Sequence, residues 1–289
     1  MKRWIGRGDS MKIALIVNNN KTRALETAQS VIRELTPLGA QLLSSAECPV
    51  DGTTVMDSTE DVIRACDIAV TVGGDGTIIH NAKYAARFSK PLLGINLGRV
   101  GFVANLEPDE TCELKKLMTG DYRIQKRMLL DIAVLQNGEE QHFTAVNEAV
   151  LHRDSLANMV DMSVELDGER IISYRADGMM FSTPTGSTAY SFSAGGPVIE
   201  PDLRCILLTP VCPHALSSRQ VVFGEDAVLS ARVHPMSTLR CYLTVDGQNH
   251  IPISSDDIIK VKRSPEELQM IILKEKNFYT LLNEKLKEF

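Results

Sequence analysis

A strand-forming segment of the sequence runs directly into a glycine-rich turn and then into a helix. Asp67–Gly73 reads DIAVTVG, typical of a buried strand, GGDGT follows at Gly73–Thr77, and Thr77–Phe88 has helical spacing of its apolar residues. Strands joined to helices in this way build open parallel α/β sheets, where ligands bind beyond the carboxyl ends of the strands. The sequence therefore predicts an α/β domain with a ligand site at this turn.

The pattern around the turn repeats on its amino-terminal side and changes after about residue 120. Strands are predicted at Lys12–Asn18, Gln41–Ser44 and Pro91–Asn96, with a helix at Thr22–Leu35. Later segments are short and alternating, and Asp-Gly pairs at 167–168 and 246–247 fit tight hairpin turns. We expect an open α/β domain followed by an antiparallel β-sandwich domain.

These patterns divide the chain into four segments. Residues 1–10 form a loose extension, 11–125 the α/β domain, 126–273 the β-rich domain, and 274–289 a last helix. That helix places apolar side chains on one side, and we expect it to dock on the first domain. The side chains concerned are those of Phe278, Leu281, Leu282, Leu286 and Phe289.

Composition excludes several classes of function. The net charge of −6 argues against a nucleic-acid or anionic-membrane binder, although a local pocket can still be positive. The six cysteines include no CxxC pair, which argues against structural zinc and a disulfide framework. Without an apolar run of roughly 18–20 residues or a signal-peptide core, we expect a cytoplasmic protein.

Asp75 is unusual because it stands between glycines at a turn that suits bound phosphate. Glycines allow close backbone approach, and the following helix offers unpaired N–H groups. The turn is neither GxGxxG nor GxxxxGK[ST]. Asp75 could simply cap the helix. A carboxylate beside phosphates could instead accept a proton from an attacking hydroxyl or help to hold the Mg²⁺ that accompanies ATP, and both roles indicate phosphoryl transfer.

Five motifs in the same order along the chain resemble those of the NAD kinase family. GGDGT resembles a signature shared with diacylglycerol and sphingosine kinases and 6-phosphofructokinases. The other four motifs favour NAD kinases within that group. They are NLGRVGF at Asn96–Phe102, Asn147-Glu148, the long segment DGMMFSTPTGSTAYSFSAGGPVI at Asp177–Ile199, and Asp246-Gly247-Gln248. Val100 stands where the family commonly has leucine.

The resemblance implies a phosphofructokinase-like first domain and an ATP-dependent kinase that acts with Mg²⁺ on the 2′-hydroxyl of the adenosine ribose of NAD. It makes Asp75 the general base and assigns no metal ligands. The residues implied for NAD binding are Asp75, Gly76, Phe102, Asn147, Glu148, Asp177, Thr188, Ala189, Tyr190, Ser193, Asp246 and Gln248. Those expected at the ATP phosphates are Gly73, Gly74, Gly76 and Thr77, with Lys21, Arg23 and Arg99 as cationic candidates.

Each of these assignments has a purely structural alternative. Asn147-Glu148 could be a polar pair at a strand edge, Asp177 a turn residue before Gly178, and Phe102 a core residue. The whole chain could be a lipid kinase of the same superfamily, although nothing in it demands an apolar lipid pocket, or a dinucleotide-binding regulator without turnover. The resemblance further implies a homodimer or homotetramer.

Overall fold

The segment that holds GGDGT folds as a strand, turn and helix in the computed structural model, which describes residues 10–98, 101–154, 158–215, 218–234 and 240–287. Strand β4 (Ile68–Gly73) is buried along its whole length, and helix α3 (Asp75–Arg87) follows after Gly74. The helix begins two residues before the predicted start at Thr77. The predicted extension at residues 1–10 lies outside the described residues except for Ser10.

The chain divides into two compact units, one formed by residues 1–126 and 268–289 and the other by residues 127–267. In unit one, five parallel strands lie in the order β3-β2-β1-β4-β5. The strands not yet given are β1 (Lys12–Val17), β2 (Gln41–Ser45), β3 (Thr54–Met56) and β5 (Leu92–Asn96). Strands β2 and β3 extend the sheet on one side of β1, and β5 extends it on the other side, next to β4. The strand order therefore reverses between β1 and β4. Ligands bind at such points in open α/β sheets.

The helices of unit one have the amphipathic patterns that the sheet requires. Helix α1 (Ala24–Leu35) buries one face with Ala28, Val31 and Leu35 in the core formed with β1 and β4. The others are α2 (Thr59–Ala65), α4 (Lys115–Thr119) and α6 (Phe278–Leu286). In the last of these, the Phe278 ring lies 5.9 Å from that of Phe102. Phe289 and the side chain of Leu286 lie outside the described residues.

Unit two contains two sheets of antiparallel hairpins around a shared apolar core. One sheet has the order β10-β9-β14-β17, with β6 paired to β17 and β7 to β6. Those strands are β6 (Arg123–Gln136), β7 (Glu139–Ala145), β9 (Val160–Leu166), β10 (Glu169–Ala176), β14 (Leu229–Val233) and β17 (Ile258–Ile272). The first residues of β6 (123–126) and the last residues of β17 (268–272) belong to unit one.

The second sheet of unit two has the order β13-β12-β11-β8-β15-β16. Its strands are β8 (Glu148–Arg153), β11 (Gly178–Ser182), β12 (Cys205–Val211), β13 (Val221–Gly224), β15 (Cys241–Val245) and β16 (Gln248–Ile253). A short helix, α5 (Tyr190–Ser193), follows β11. The predicted fold class, an open α/β domain and an antiparallel β-sandwich, is confirmed. None of the helices in the described parts of the chain is long and apolar enough to cross a membrane.

Both predicted Asp-Gly hairpins form, and their turns show why these residues were needed. Asp167 and Gly168 have φ values of 53° and 84°, and Asp246 and Gly247 have values of 49° and 69°. Two successive left-handed residues give the turn that matches the twist of paired strands, and Asp and Gly tolerate this conformation best.

Candidate active site

Three strand ends of unit one meet at the glycine-rich turn. Asn18, just past β1, donates a hydrogen bond from Nδ2 to Thr77 Oγ1 at 2.8 Å, and the Leu97 N–H, just past β5, bonds to the Gly73 carbonyl at 2.9 Å. A Cβ on Gly73 would lie 2.7 Å from the Thr77 Cβ, so only glycine lets the helix start this close to the strand. The turn is therefore fixed at the point where the strand order reverses.

Asp75 is not the cap of helix α3. The cap position is held by Gly74, and Asp75 is the first helical residue. Its half-buried carboxylate accepts the backbone N–H of Phe102 at 2.8 Å and that of Val103 at 3.4 Å. The alternative of a simple capping role is wrong, because the carboxylate is held by a segment that follows β5.

Gly101 is what allows this contact. A Cβ at position 101 would lie 3.1 Å from the Asp75 Cγ and closer still to its Oδ1. The described part of the NLGRVGF segment therefore places a backbone N–H donor, that of Phe102, next to the Asp75 carboxylate. Sequence reasoning singled out both motifs without linking them. Gly101 and Asn18 were the missed residues of unit one, and Gly101 could have been found because it is the second glycine of the NLGRVGF motif.

Of the three cationic candidates for phosphate binding, Lys21 and Arg23 are exposed in unit one, and Arg99 lies outside the described residues. Arg23 precedes helix α1 with φ 68° and pairs with Glu26 at 3.5 Å, both side chains being more than half exposed. Lys21 lies in the same loop after β1. Among the described residues there is no group of three or more His, Cys, Asp or Glu side chains placed to hold a metal ion.

In unit two, Asn147 and Glu148 stand where the chain enters β8, and two other motifs hold their backbone. Asp246 accepts the N–H groups of Val146, Asn147 and Glu148 at 2.8, 2.7 and 3.0 Å. From the other side, the Thr183 hydroxyl donates to the Val146 carbonyl at 2.6 Å. These contacts fix Asn147-Glu148 in one backbone conformation.

The segment after β11 completes this arrangement. The Thr183 N–H bonds to the Asn147 carbonyl at 2.9 Å, and the Thr183 hydroxyl accepts the Gly186 N–H at 3.0 Å. A Cβ on Gly186 would lie 2.7 Å from the Asn147 Cα. The TPTG part of the long motif therefore packs against the Asn-Glu pair, which the linear sequence did not reveal.

The remaining predicted residues of unit two differ in exposure and partners. Asp177 forms an ion pair with Arg153 at 2.6 Å, so it is more than a turn residue before Gly178. Thr188 and Ala189 are half-buried, whereas the Tyr190 ring is 45% exposed on α5. Ser193 is exposed and Gln248 is half-buried at the start of β16.

Glu148 has the most perturbed surroundings of these residues. The residue is 7% exposed, and its Oε2 has no hydrogen-bond partner in the part of the chain that the structure describes. Burial, and to a lesser extent the negative charge of Asp246, raise the pKa of the Glu148 carboxyl to about 8. A buried acid with a displaced pKa beside ligand-type residues is typical of functional sites.

Comparison with known proteins gives the same family for both units. Residues 13–122 match the ATP-NAD kinase N-terminal domain and residues 146–273 the ATP-NAD kinase C-terminal domain. The NAD kinase of Symbiobacterium thermophilum is 37% identical over 279 residues, covering 95% of this chain and 98% of its own length. That of Nitrosomonas europaea is 38% identical over 229 residues, covering 78% and 77%.

Two solved structures resemble the chain in fold. Yeast NADH kinase complexed with NADH superposes with a TM-score of 0.81 at 24% identity, covering 96% of this chain and 88% of that one. An NAD kinase from Archaeoglobus fulgidus in complex with ATP superposes with a TM-score of 0.76 at 24% identity, covering 96% and 100%.

Proposed function

This chain belongs to the ATP-NAD kinase family, and we propose that it uses Asp75 as the general base in transferring the γ-phosphate of ATP to NAD. Its activity is the ATP-dependent phosphorylation of NAD to NADP, as in relatives that match almost all of its length. The product NADP carries the new phosphate on the 2′-hydroxyl of the adenosine ribose. That hydroxyl is a poor nucleophile, and a positioned carboxylate that takes its proton contributes roughly 10²–10⁴ in rate.

The observation that carries the assignment is the way Asp75 is held. Its carboxylate is half-buried and oriented by the Phe102 N–H at 2.8 Å, at the first residue of a helix and at the reversal point of the sheet. A residue that only shaped the turn would not need an aligned carboxylate. Gly74, Gly76 and Thr77 then offer backbone N–H groups and a hydroxyl to the ATP phosphates.

We assign NAD binding to the residues of unit two that the motifs contain. Asn147 and Glu148 are held rigidly by Thr183 and Asp246 and are suited to hydrogen-bond the adenosine. Tyr190 offers an exposed ring that can cover a base. Thr188, Ala189 and Ser193 on the same segment, with Asp177 and Gln248, supply further contacts. Phe102 is a half-buried ring beside Phe278 in unit one.

Mg²⁺ enters this proposal with ATP and would neutralise charge on the transferred phosphate. Such ions are held mostly by phosphate oxygens and waters, with one or two protein carboxylates. Asp75 is the one carboxylate of the Gly73–Thr77 turn. We further propose a cytoplasmic homodimer or homotetramer on the family likeness; light scattering and cell fractionation test these two points.

The first experiment measures turnover. Purified protein is incubated with ATP, Mg²⁺ and NAD, and NADP is detected with an NADP-specific dehydrogenase. The wild type is expected to form NADP, and Asp75→Asn to lose at least about a hundredfold in kcat. Asp51→Asn, at an exposed aspartate of unit one, serves as the control.

The outcomes separate the competing functions. Full activity in Asp75→Asn would keep the kinase and reduce Asp75 to a positioning group. A wild type that binds NAD but forms no NADP would favour a dinucleotide-binding regulator.

A further inference from the structure

Glu148 occupies a row of three polar residues across the second sheet of unit two. Ser182 of β11 lies directly opposite it on one side, and on the other side its carbonyl accepts the Asp246 N–H at 2.9 Å. Directly paired residues of neighbouring strands point to the same face of a sheet. Ser182 is fully buried, and its Oγ, like the Glu148 Oε2, has no hydrogen-bond partner among the described residues.

The two acids of this row have opposite surroundings. Asp246 accepts three backbone N–H groups, and such donors favour the ionised form of a carboxyl group. The Glu148 Oε2 has none of these donors and lies in a buried position next to that charge. An isolated charge there would be costly, and a buried acid avoids the cost by keeping its proton.

Among the described residues, the influences on the Glu148 carboxyl group are burial and the Asp246 charge, and neither is a compensating cation. The neighbour on β11 is the uncharged Ser182, and the charge that acts on Glu148 from the β15–β16 turn is that of Asp246. The Thr183 hydroxyl, on the segment after β11, is occupied with Val146 and Gly186. Burial and the Asp246 charge therefore act in the same direction, and the raised pKa of Glu148 agrees with this geometry.

We propose that Glu148 contacts the dinucleotide as a neutral carboxylic acid that donates a hydrogen bond to an acceptor atom of the nucleoside. Asp246 is the positioning residue of this contact, since it fixes the backbone of Glu148 and keeps its carboxyl group protonated. The inference rests on the proposed placement of Glu148 in the NAD site. It differs from the usual expectation for a glutamate beside ribose hydroxyls, which is an ionised acceptor.

Because the Glu148 carboxyl group can donate a hydrogen bond only while it is protonated, NAD binding is expected to weaken at high pH. Below about pH 8 the acid is already protonated, and affinity is constant. Above that pH, binding must take up a proton, and the Kd rises by up to about tenfold per pH unit. NAD has no group that titrates between pH 6.5 and 9.5, so the proton must go to the protein.

The test is calorimetric titration of the full chain with NAD, without ATP, from pH 6.5 to 9.5. Buffers with different ionisation enthalpies report the protons taken up. For the wild type we expect uptake approaching one proton at pH 9 and a Kd that rises above pH 8.

Glu148→Gln is expected to show no proton uptake and a Kd independent of pH, because an amide donates without titrating. At pH 6.5 a rise in Kd of up to about fivefold is allowed for the changed geometry. Asp246→Asn removes the neighbouring charge and should move the midpoint of the Kd profile to lower pH, which a merely structural role would not do. Glu169→Gln, at an exposed glutamate of the same unit, should follow the wild-type profile.

The results separate this inference from the proposed function. NADP formation with a flat Kd profile and no proton uptake would overturn the inference alone. So would a loss of a hundredfold or more in Glu148→Gln at pH 6.5, because that would indicate an ionised acceptor. Absence of both NADP formation and NAD binding would overturn the proposed function and this inference with it.

Discussion

Asp75, just after strand β4 in unit one, and Glu148, at the start of strand β8 in unit two, have different surroundings. Asp75 is half-buried, and its carboxylate accepts two backbone N–H groups from the segment after β5. Glu148 is buried, its Oε2 has no partner among the described residues, and its own backbone N–H is donated to the Asp246 carboxylate. Under our two proposals, the carboxyl group takes a proton in one unit and donates a hydrogen bond in the other.

A glycine allows the close contacts around each of these two acids, Gly101 beside Asp75 and Gly186 beside Asn147. Each can be tested by substitution with alanine, which adds one methyl group. Gly101 lets the 101–103 segment approach Asp75, and Gly186 lets the segment after β11 approach Asn147. Neither glycine has a left-handed φ, so close packing is their requirement. Substitution by alanine therefore tests packing without backbone strain.

The largest effect is expected from Gly101→Ala. The added Cβ would displace the Asp75 carboxylate, and misplacement of a catalytic group by about 1 Å can cost 10²-fold. We expect kcat to fall about a hundredfold, with a much smaller change in the KM for NAD, because the proposed base is disturbed and the proposed NAD-binding residues of unit two are not. Steady-state NADP formation measures both constants.

Gly224→Ala is the control, since a Cβ there meets nothing within 4 Å. An unchanged kcat in a correctly folded Gly101→Ala protein would show that the held position of Asp75 is not needed for catalysis.

A smaller effect with the opposite kinetic signature is expected from Gly186→Ala. The Cβ would press on the backbone of Asn147, which Thr183 and Asp246 hold from both sides. We expect the KM for NAD to rise about tenfold while kcat falls less, because the proposed NAD-binding residues are disturbed and the proposed base is not. Thermal melting of the variant checks that it remains folded, and a folded variant with normal KM would contradict the role of Asn147-Glu148 in binding.

The contrast between these glycines also shows what the sequence could predict. Local patterns indicated β4, helix α3 and both Asp-Gly hairpins, because hydrophobic period and turn chemistry act over a few residues. The short elements β3 and α2 were missed, since three and seven residues carry little periodic signal.

Contacts between distant motifs could not be predicted. Asp75 meets Phe102 across 27 residues of sequence, and Asp246 meets Val146 across 100 residues. The motifs themselves were visible, and a resemblance to a known family supplied their expected roles. That Asp246 holds a backbone segment and affects the charge of Glu148 is a property of three-dimensional packing, which no local pattern encodes.

The last prediction concerns how the free energy of unfolding depends on pH. It tests the difference between Glu148 and Asp75 without any substrate. Burial and Asp246 raise the pKa of Glu148 from 4.5 to about 8, so between these values the folded protein holds a proton that the unfolded chain has released. The stabilisation is complete below pH 4.5 and is lost as pH rises to about 8. The free energy of unfolding therefore falls by up to about 1.4 kcal/mol per pH unit in this window.

Glu148→Gln removes this proton and should flatten the corresponding part of the profile. Melting temperatures of wild type and variant, measured from pH 5 to 9, are expected to converge or cross as pH rises, with the variant gaining relative stability up to about pH 8. Glu169→Gln should run parallel to the wild type. Parallel curves for Glu148→Gln would mean that Glu148 is ionised in the folded protein, and the two acids would then be alike in charge and different only in position.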